Sequence, residues 1–238
     1  MELFLRGWPF VGLGLALVLV VWLALPRPAA RGPRWHDPAW VLALLWPMYL
    51  VHQFEEHGID LLGRRYAFLA ELCRTLGYGG DLAHCPADEA AMCAVNVGGC
   101  QIAFVTAWVF RRRNPLVAAC AWGVPLINGL IHIGSSLAQR AYGPGLLTSV
   151  VLFLPLSLWA LRTAVRAGVI RPAQCVWVVV TGVLMHAILM ASLLLVGRGL
   201  LSHEAMLAIN VLNGFLPLLI GLWVGGRSRS TSSSTCRV

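Results

Sequence analysis

The chain has 238 residues, 58% of them hydrophobic and only 12% charged, at a mean hydropathy of +0.75. A soluble domain carries about twice that charged fraction, so a water-soluble globule is excluded. The net charge of +8 comes from 18 basic residues, all Arg and spread over the polar connections, a distribution that sets membrane topology and excludes a nucleic-acid footprint.

Seven apolar stretches, at about 7–25, 38–62, 88–110, 115–138, 144–162, 174–197 and 203–224, are each long enough to cross a hydrocarbon core of about 30 Å. They predict an all-α fold, a polytopic transmembrane helix bundle of about seven spans. The first stretch is followed by Ala29-Ala30, as a signal sequence would be, but its apolar core is longer than a usual signal core and reads as a retained span. Arg111-Arg112-Arg113 stops the third span. Residues 1–224 form a single transmembrane helical domain, and the Ser/Arg-rich segment 225–238 is expected to be a disordered cytoplasmic tail. No internal repeat, pair of broken helices or Gly-rich phosphate loop is apparent in the sequence.

Counting Arg on each side of alternating spans gives twelve (27, 31, 34, 111–113, 162, 166, 171, 227, 229, 237) against six (6, 64, 65, 74, 140, 198). The positive-inside rule then predicts an integral, multi-pass protein with N-out, C-in orientation. The loop at 63–87 falls outside, where Cys73 and Cys85 are permitted a disulfide. Cys93, Cys100, Cys120 and Cys175 fall within spans and read as small apolar fillers.

The second stretch is the anomaly. After the uncharged run 38–51 comes His52-Gln53-Phe54-Glu55-Glu56-His57-Gly58-Ile59-Asp60, with three carboxylates and two imidazoles. An ionised side chain in the bilayer costs roughly 2.5–3.5 kcal/mol on insertion scales, and several together need partners, protons or a metal. Glu56 lies eighteen residues past Pro38 and His132 seventeen past Pro115, on spans that run the same way. Asn96, Asn128, His186 and Asn210 fall at matching depths, so one buried polar layer is expected in the outer half of the membrane. At 100° per residue His52, Glu55 and Glu56 share a helix face, while His57 points elsewhere and Asp60 is peripheral.

Each residue has a plainer explanation. Glu55 and Glu56 could be a structural ion-pair centre with Arg64 or Arg65. His132 could be a buried histidine satisfied by Asn128 or Ser135, and His186 a core residue. Asn96, Asn210 and Asn213 suit interhelical hydrogen bonding.

Two segments resemble the HXXEE-motif family of multi-span membrane proteins. One is His52-Gln53-Phe54-Glu55-Glu56, the motif itself. The other is Asn128-Gly129-Leu130-Ile131-His132-Ile133 followed by the turn Tyr142-Gly143-Pro144-Gly145-Leu146-Leu147-Thr148-Ser149. The resemblance covers about 50–160 and implies an enzyme without assigned chemistry. Some relatives carry further acids in the next span, where this chain has Ala94-Val95-Asn96-Val97-Gly98-Gly99.

That absence argues against a ferritin-like di-metal centre, which takes about four carboxylates and two His. A single divalent ion, Zn or Fe, held by His52, Glu56 and His132 with His186 as fourth ligand, fits better. Catalysis would then use Glu55, Glu56 and Asn128, with the second Glu as general base and Asn128 donating to a developing oxyanion. The product is a metal-dependent membrane hydrolase or other membrane enzyme, whose partners are the lipid bilayer and a lipid-soluble or membrane-embedded substrate. A metal-free acid–base enzyme (protease-like, isomerase or cyclase) and an ion- or proton-coupled transporter are the alternatives. Replacing Glu55 and Glu56 together by Gln is expected to spare the fold and end function.

Overall fold

The computed structural model describes residues 2–26, 32–79 and 81–234, with side chains from Leu3 to Gly226 of these. The described residues are all-α. We number the helices α1 (Glu2–Ala24), α2 (Pro38–Ala43), α3 (Leu45–His57), α4 (Ala67–Thr75), α5 (Glu89–Phe110), α6 (Pro115–Gln139), α7 (Leu146–Arg166), α8 (Pro172–Gly197), α9 (His203–Asn213) and α10 (Leu216–Ser234).

Among the described residues five helices, α1 and α5 to α8, are long and apolar enough to cross a membrane, six if the bent pair α9–α10 makes one span. The remaining expected span, 38–62, is a shorter, two-piece element. It ends at His57, where Gly58 leaves helical geometry and the chain turns through Ile59–Arg65. Asp60 holds that turn, accepting from the Leu62 and Arg64 backbone N–H groups and from the Arg64 guanidinium. Arg64 is thus engaged with Asp60 rather than with Glu55 or Glu56. α10 continues as helix to Ser234, into the segment expected to be disordered, and residues 235–238 of that segment lie outside the described residues.

Proline sets the breaks. A proline cannot donate to the carbonyl four residues back, and its ring crowds that carbonyl. Pro47 follows the turn at Leu44 between α2 and α3, and Pro125 follows the turn at Trp122 within α6. Pro155 follows a π-helical turn, Ser149–Phe153, and Pro217 follows the 41° bend between α9 and α10. The expected continuous seventh span is therefore broken.

α6 is the central helix, with 72% of its apolar window buried, packed by α5, α7, α8 and α10. Trp122, fully buried, donates from Nε1 to the Leu42 carbonyl and ties α6 to α2. Outer faces stay apolar, as at Val176, Val179 and Val183 of α8, which suits lipid contact rather than water. α1 packs along α3, with Trp8 against the His57 ring and Phe10 against Phe54. Cys73 and Cys85 are joined by a disulfide that ties α4 to the following loop.

Candidate metal centre

The last two turns of α3 carry His52, Gln53, Glu55, Glu56 and His57, all buried. The turn before α7 brings Tyr142 and Gly145 against them and the first turn of α7 brings Thr148, while α6 contributes Asn128 and His132, one helical turn apart. The single polar layer expected from depth is therefore assembled from α3, α5, α6 and α7.

Glu55 and Glu56 have separate environments. Glu55 Oε1 accepts from the Tyr142 hydroxyl (2.6 Å) and the Leu147 N–H (3.0 Å). Its Oε2 accepts from the Thr148 N–H (2.7 Å) and the Thr148 hydroxyl (2.5 Å). Leu147 and Thr148 open α7, where backbone N–H groups have no partner within the helix and the dipole favours an anion. Glu55 is thus the cap of another helix. Burial, and then the bond to Glu55, hold the Tyr142 hydroxyl well above its usual pKa, so it remains a donor.

The same contacts set the state of His52. The Thr148 hydroxyl has one proton and gives it to Glu55, so its oxygen accepts from His52 Nδ1, 2.7 Å away. This network assigns the His52 proton to Nδ1 and leaves Nε2 a lone pair. Nε2 lies 3.3 Å from Glu56 Oε2 and 3.3 Å from the Asn128 amide.

A second network acts on His57 in the same way. The Trp46 indole, which can only donate, bonds Gln101 Oε1 at 2.7 Å. The Gln101 amide donates to the Asn96 carbonyl and reaches Gln53 Oε1 at 3.5 Å. Gln53 donates to Asn96 Oδ1 (2.9 Å), and Asn96 donates to His57 Nε2 (3.0 Å) and to the Met92 carbonyl. Asn96 sits in a π-helical stretch of α5, Ala94–Gly99, a type of bulge frequent at functional sites. His57 Nε2, so oriented as an acceptor, is 3.1 Å from Glu56 Oε2.

The Nε2 atoms of His52 and His57 thus both lie against one carboxylate oxygen, Glu56 Oε2, and each also meets a side-chain amide. His132 Nε2 approaches the other, Glu56 Oε1, at 3.2 Å. A buried carboxylate ringed by imidazole nitrogens is settled either by protons on those rings or by a cation that they share. Ligand atoms of His52, Glu56 and His132 lie within 4.8 Å of one another, a group positioned to hold a metal ion. Two His and one carboxylate are the ligands of an open catalytic zinc site and of non-haem ferrous sites.

His186 stands apart from this set. The expected fourth ligand is not in the group of three; its Nδ1 is bonded to the Gly182 carbonyl of its own helix at 2.8 Å, and its ring lines an adjoining cavity of about 470 Å³. That cavity meets the metal group through Glu56, with His57, Asn96 and Asn128 beside it. His57, expected to point toward another helix or the interface, bonds Asn96 of α5 and also adjoins Glu56 and the cavity.

Residues 43–160 match the family described as "Protein of unknown function with HXXEE motif". This segment belongs to the HXXEE family. No curated protein and no solved structure matches the chain.

In this chain the first and last positions of the HXXEE motif, His52 and Glu56, supply two of the three candidate ligands, and Glu55 supplies the cap that orients the first. The family segment also contains Gly145, which has φ +87°. A Cβ there would come within 2.8 Å of Cε1 of both His52 and His132, so the backbone passes between the two imidazoles and no larger residue fits. Gly145→Ala is expected to lower metal affinity by roughly 10–100-fold, as displaced ligand supports do. Zinc titration of the purified variant beside wild type measures this, and equal affinities would contradict the positioning role.

Gln101 was not singled out in the sequence, and Gln53, His57, Tyr142 and Thr148 entered only as members of quoted segments and not as site residues. Their signal is that each is a polar residue in or beside an apolar span.

Proposed function

We propose that this protein is a metal-dependent intramembrane enzyme acting on a lipid-soluble or membrane-embedded substrate. The observation that carries the reading is Glu56. It is at once a member of the buried His52/Glu56/His132 group and part of the wall of a large apolar cavity. A divalent ion of zinc or ferrous type would supply a Lewis acid and an activated water or oxidant site there.

The chain's own groups divide the remaining work. Glu55, saturated by four donors, fixes α7 and, through Thr148, the His52 tautomer; it is a positioning residue rather than a base. Proton handling passes to His57, whose Nε2 adjoins Glu56 on the cavity wall. With His52 Nε2 serving as a ligand, the Asn128 amide would be free to donate to negative charge developing on a substrate.

Cobalt substitution tests the reading. Co²⁺ bound by the three ligands should give a visible spectrum that changes when azide is added, because a three-ligand site keeps an open position. A Co²⁺ spectrum insensitive to azide and other small ligands would mark a closed, structural site. A proton-sharing Glu56–His centre is the second reading, favoured by the same short Glu56–His contacts, and it predicts no metal at all.

The orientation we favour is N-out, C-in, with the loop at 63–87 on the extracytoplasmic side. The Arg asymmetry and the Cys73–Cys85 disulfide, a bond that persists in oxidising compartments, support it. In Arg65→Cys, at an exposed position of that side, an impermeant thiol reagent is expected to label intact cells. Labelling only after lysis would reverse the orientation.

A further inference from the structure

We infer that a second pocket, opening on the side of the loop at 63–87, is the aqueous inlet of the site, and that water passing His57 is the co-substrate that meets a lipid-soluble substrate at Glu56. The choice of water as reactant rests on the proposed enzyme function; the inlet itself does not.

Two cavities share one wall. The apolar cavity beside Glu56 reaches the outer surface between α6 and α8, where Ile131, Ala187 and Met190 line it and are also exposed. That mouth lies between two spans, so it faces hydrocarbon and suits a lipid-soluble molecule. The second pocket, of about 250 Å³, lies between the first turns of α1 and α5 and the helix α4. Its rim carries Tyr66 and Leu82, both exposed, and the Arg6–Glu89 ion pair (2.9 Å), whose side chains are 52% and 37% exposed. A charged pair open to this degree stands in water or among headgroups, not in hydrocarbon. The floor is buried and consists of Trp8, His57 and Met92. His57 and Met92 also line the apolar cavity.

His57 is the partition. Trp8, from the second pocket, packs against its ring with centroids 5.2 Å apart, and Phe68, from the apolar cavity, packs against it edge-on at 5.0 Å. Its Nε2 is committed to Asn96 and Glu56. Its Nδ1 has no protein partner among the described residues and is not one of the sealed unpaired atoms, so water can reach it. The second pocket has room for several waters, each needing about 10–15 Å³ of such volume. A water on its floor is separated from Glu56 by the thickness of one imidazole.

The two openings sort reactants by polarity. Water finds no hydrogen bonds in the apolar mouth, and an apolar molecule gains nothing at a charged rim. Hydrolysis matches this division and needs no further reactant. The water oxygen bonds the electrophilic atom of the substrate, the bond to the leaving group breaks, and the leaving group departs with the water's proton.

The test places a thiol beyond the partition. Glu56→Cys is made in the full-length protein with the free cysteines Cys93, Cys100, Cys120 and Cys175 replaced by Ala, and is held in lipid nanodiscs with a chelator present. The permanently charged 2-(trimethylammonium)ethyl methanethiosulfonate probes the aqueous route, and N-ethylmaleimide, which also dissolves in lipid, probes both. The charged reagent is expected to label the thiol. Ala70→Trp, which fills the second pocket, should slow that labelling by at least about tenfold and slow N-ethylmaleimide by less than about twofold, because a fixed charge is excluded from the apolar mouth. Leu82→Trp at the rim should act in the same direction, and Met92→Cys on the shared wall repeats the measurement if Glu56→Cys does not fold. Labelling by N-ethylmaleimide alone, or charged labelling that neither plug slows, would overturn the inlet. A plug-sensitive inlet in a protein whose wild type never binds metal would remove only the metal-dependent reading. A metal-loaded wild type whose thiol variants exclude the charged reagent would remove only the inlet.

Discussion

Glu56→Gln is expected to leave the helix bundle intact and to abolish the metal group. Its carboxylate is the one group that meets His52, His57 and His132, and none of these contacts ties the helix backbones together. Gln keeps the volume and removes a buried charge, a change that is often neutral or stabilising in a protein interior. Metal affinity should fall by more than about 100-fold, since loss of a direct ligand exceeds the effect of losing its support. Thermal melting of the metal-free forms in detergent should differ little between variant and wild type. A large drop in melting temperature with metal binding retained would make Glu56 a structural ion-pair centre instead.

Glu55→Gln is expected to do the opposite, destabilising the fold first. A Gln side chain has a single carbonyl oxygen for the four donors now shared by two carboxylate oxygens. Its NH2 would turn protons toward two of the other donors. Losing two charge-assisted hydrogen bonds at a buried helix N-terminus costs about 2–4 kcal/mol. At the scaling for chains of this size, that is a fall of roughly 10 °C in Tm. Metal binding should weaken only indirectly, through Thr148 and His52. A Glu55→Gln protein as stable as wild type would contradict the capping role. The double Gln variant therefore mixes two effects, and the sequence-based expectation that it would fold normally is replaced by two separate single-variant outcomes.

The polar layer was legible because spans alternate and rise uniformly. Depth alone brought Glu56, His132, Asn96 and Asn128 together. The partition of labour between Glu55 and Glu56 was not legible, because a hundred-degree step separates their directions, while their partners on other elements lie some ninety and some seventy-five residues away, around the start of α7 and on α6. His57, expected toward another helix or the interface, does bond a neighbouring helix, at Asn96 in the π-helical stretch of α5, but angular position on one helix did not show that it also meets Glu56. The breaks were written in the sequence as Pro47, Pro125, Pro155 and Pro217, each following a turn or bulge. Hydropathy averages over windows and smooths such residues away, so 203–224 read as one straight span.

The central claim is that His52, Glu56 and His132 hold one metal ion. Elemental mass spectrometry of the wild-type protein, gently purified in detergent without chelators and normalised to chain concentration, tests it most directly. The account predicts about one zinc or iron ion per chain, removable by chelation and restored by adding back either metal, as a three-ligand site allows. Wild-type protein that carries no metal as purified, and takes up neither Zn²⁺ nor Fe²⁺ when supplied, would contradict it.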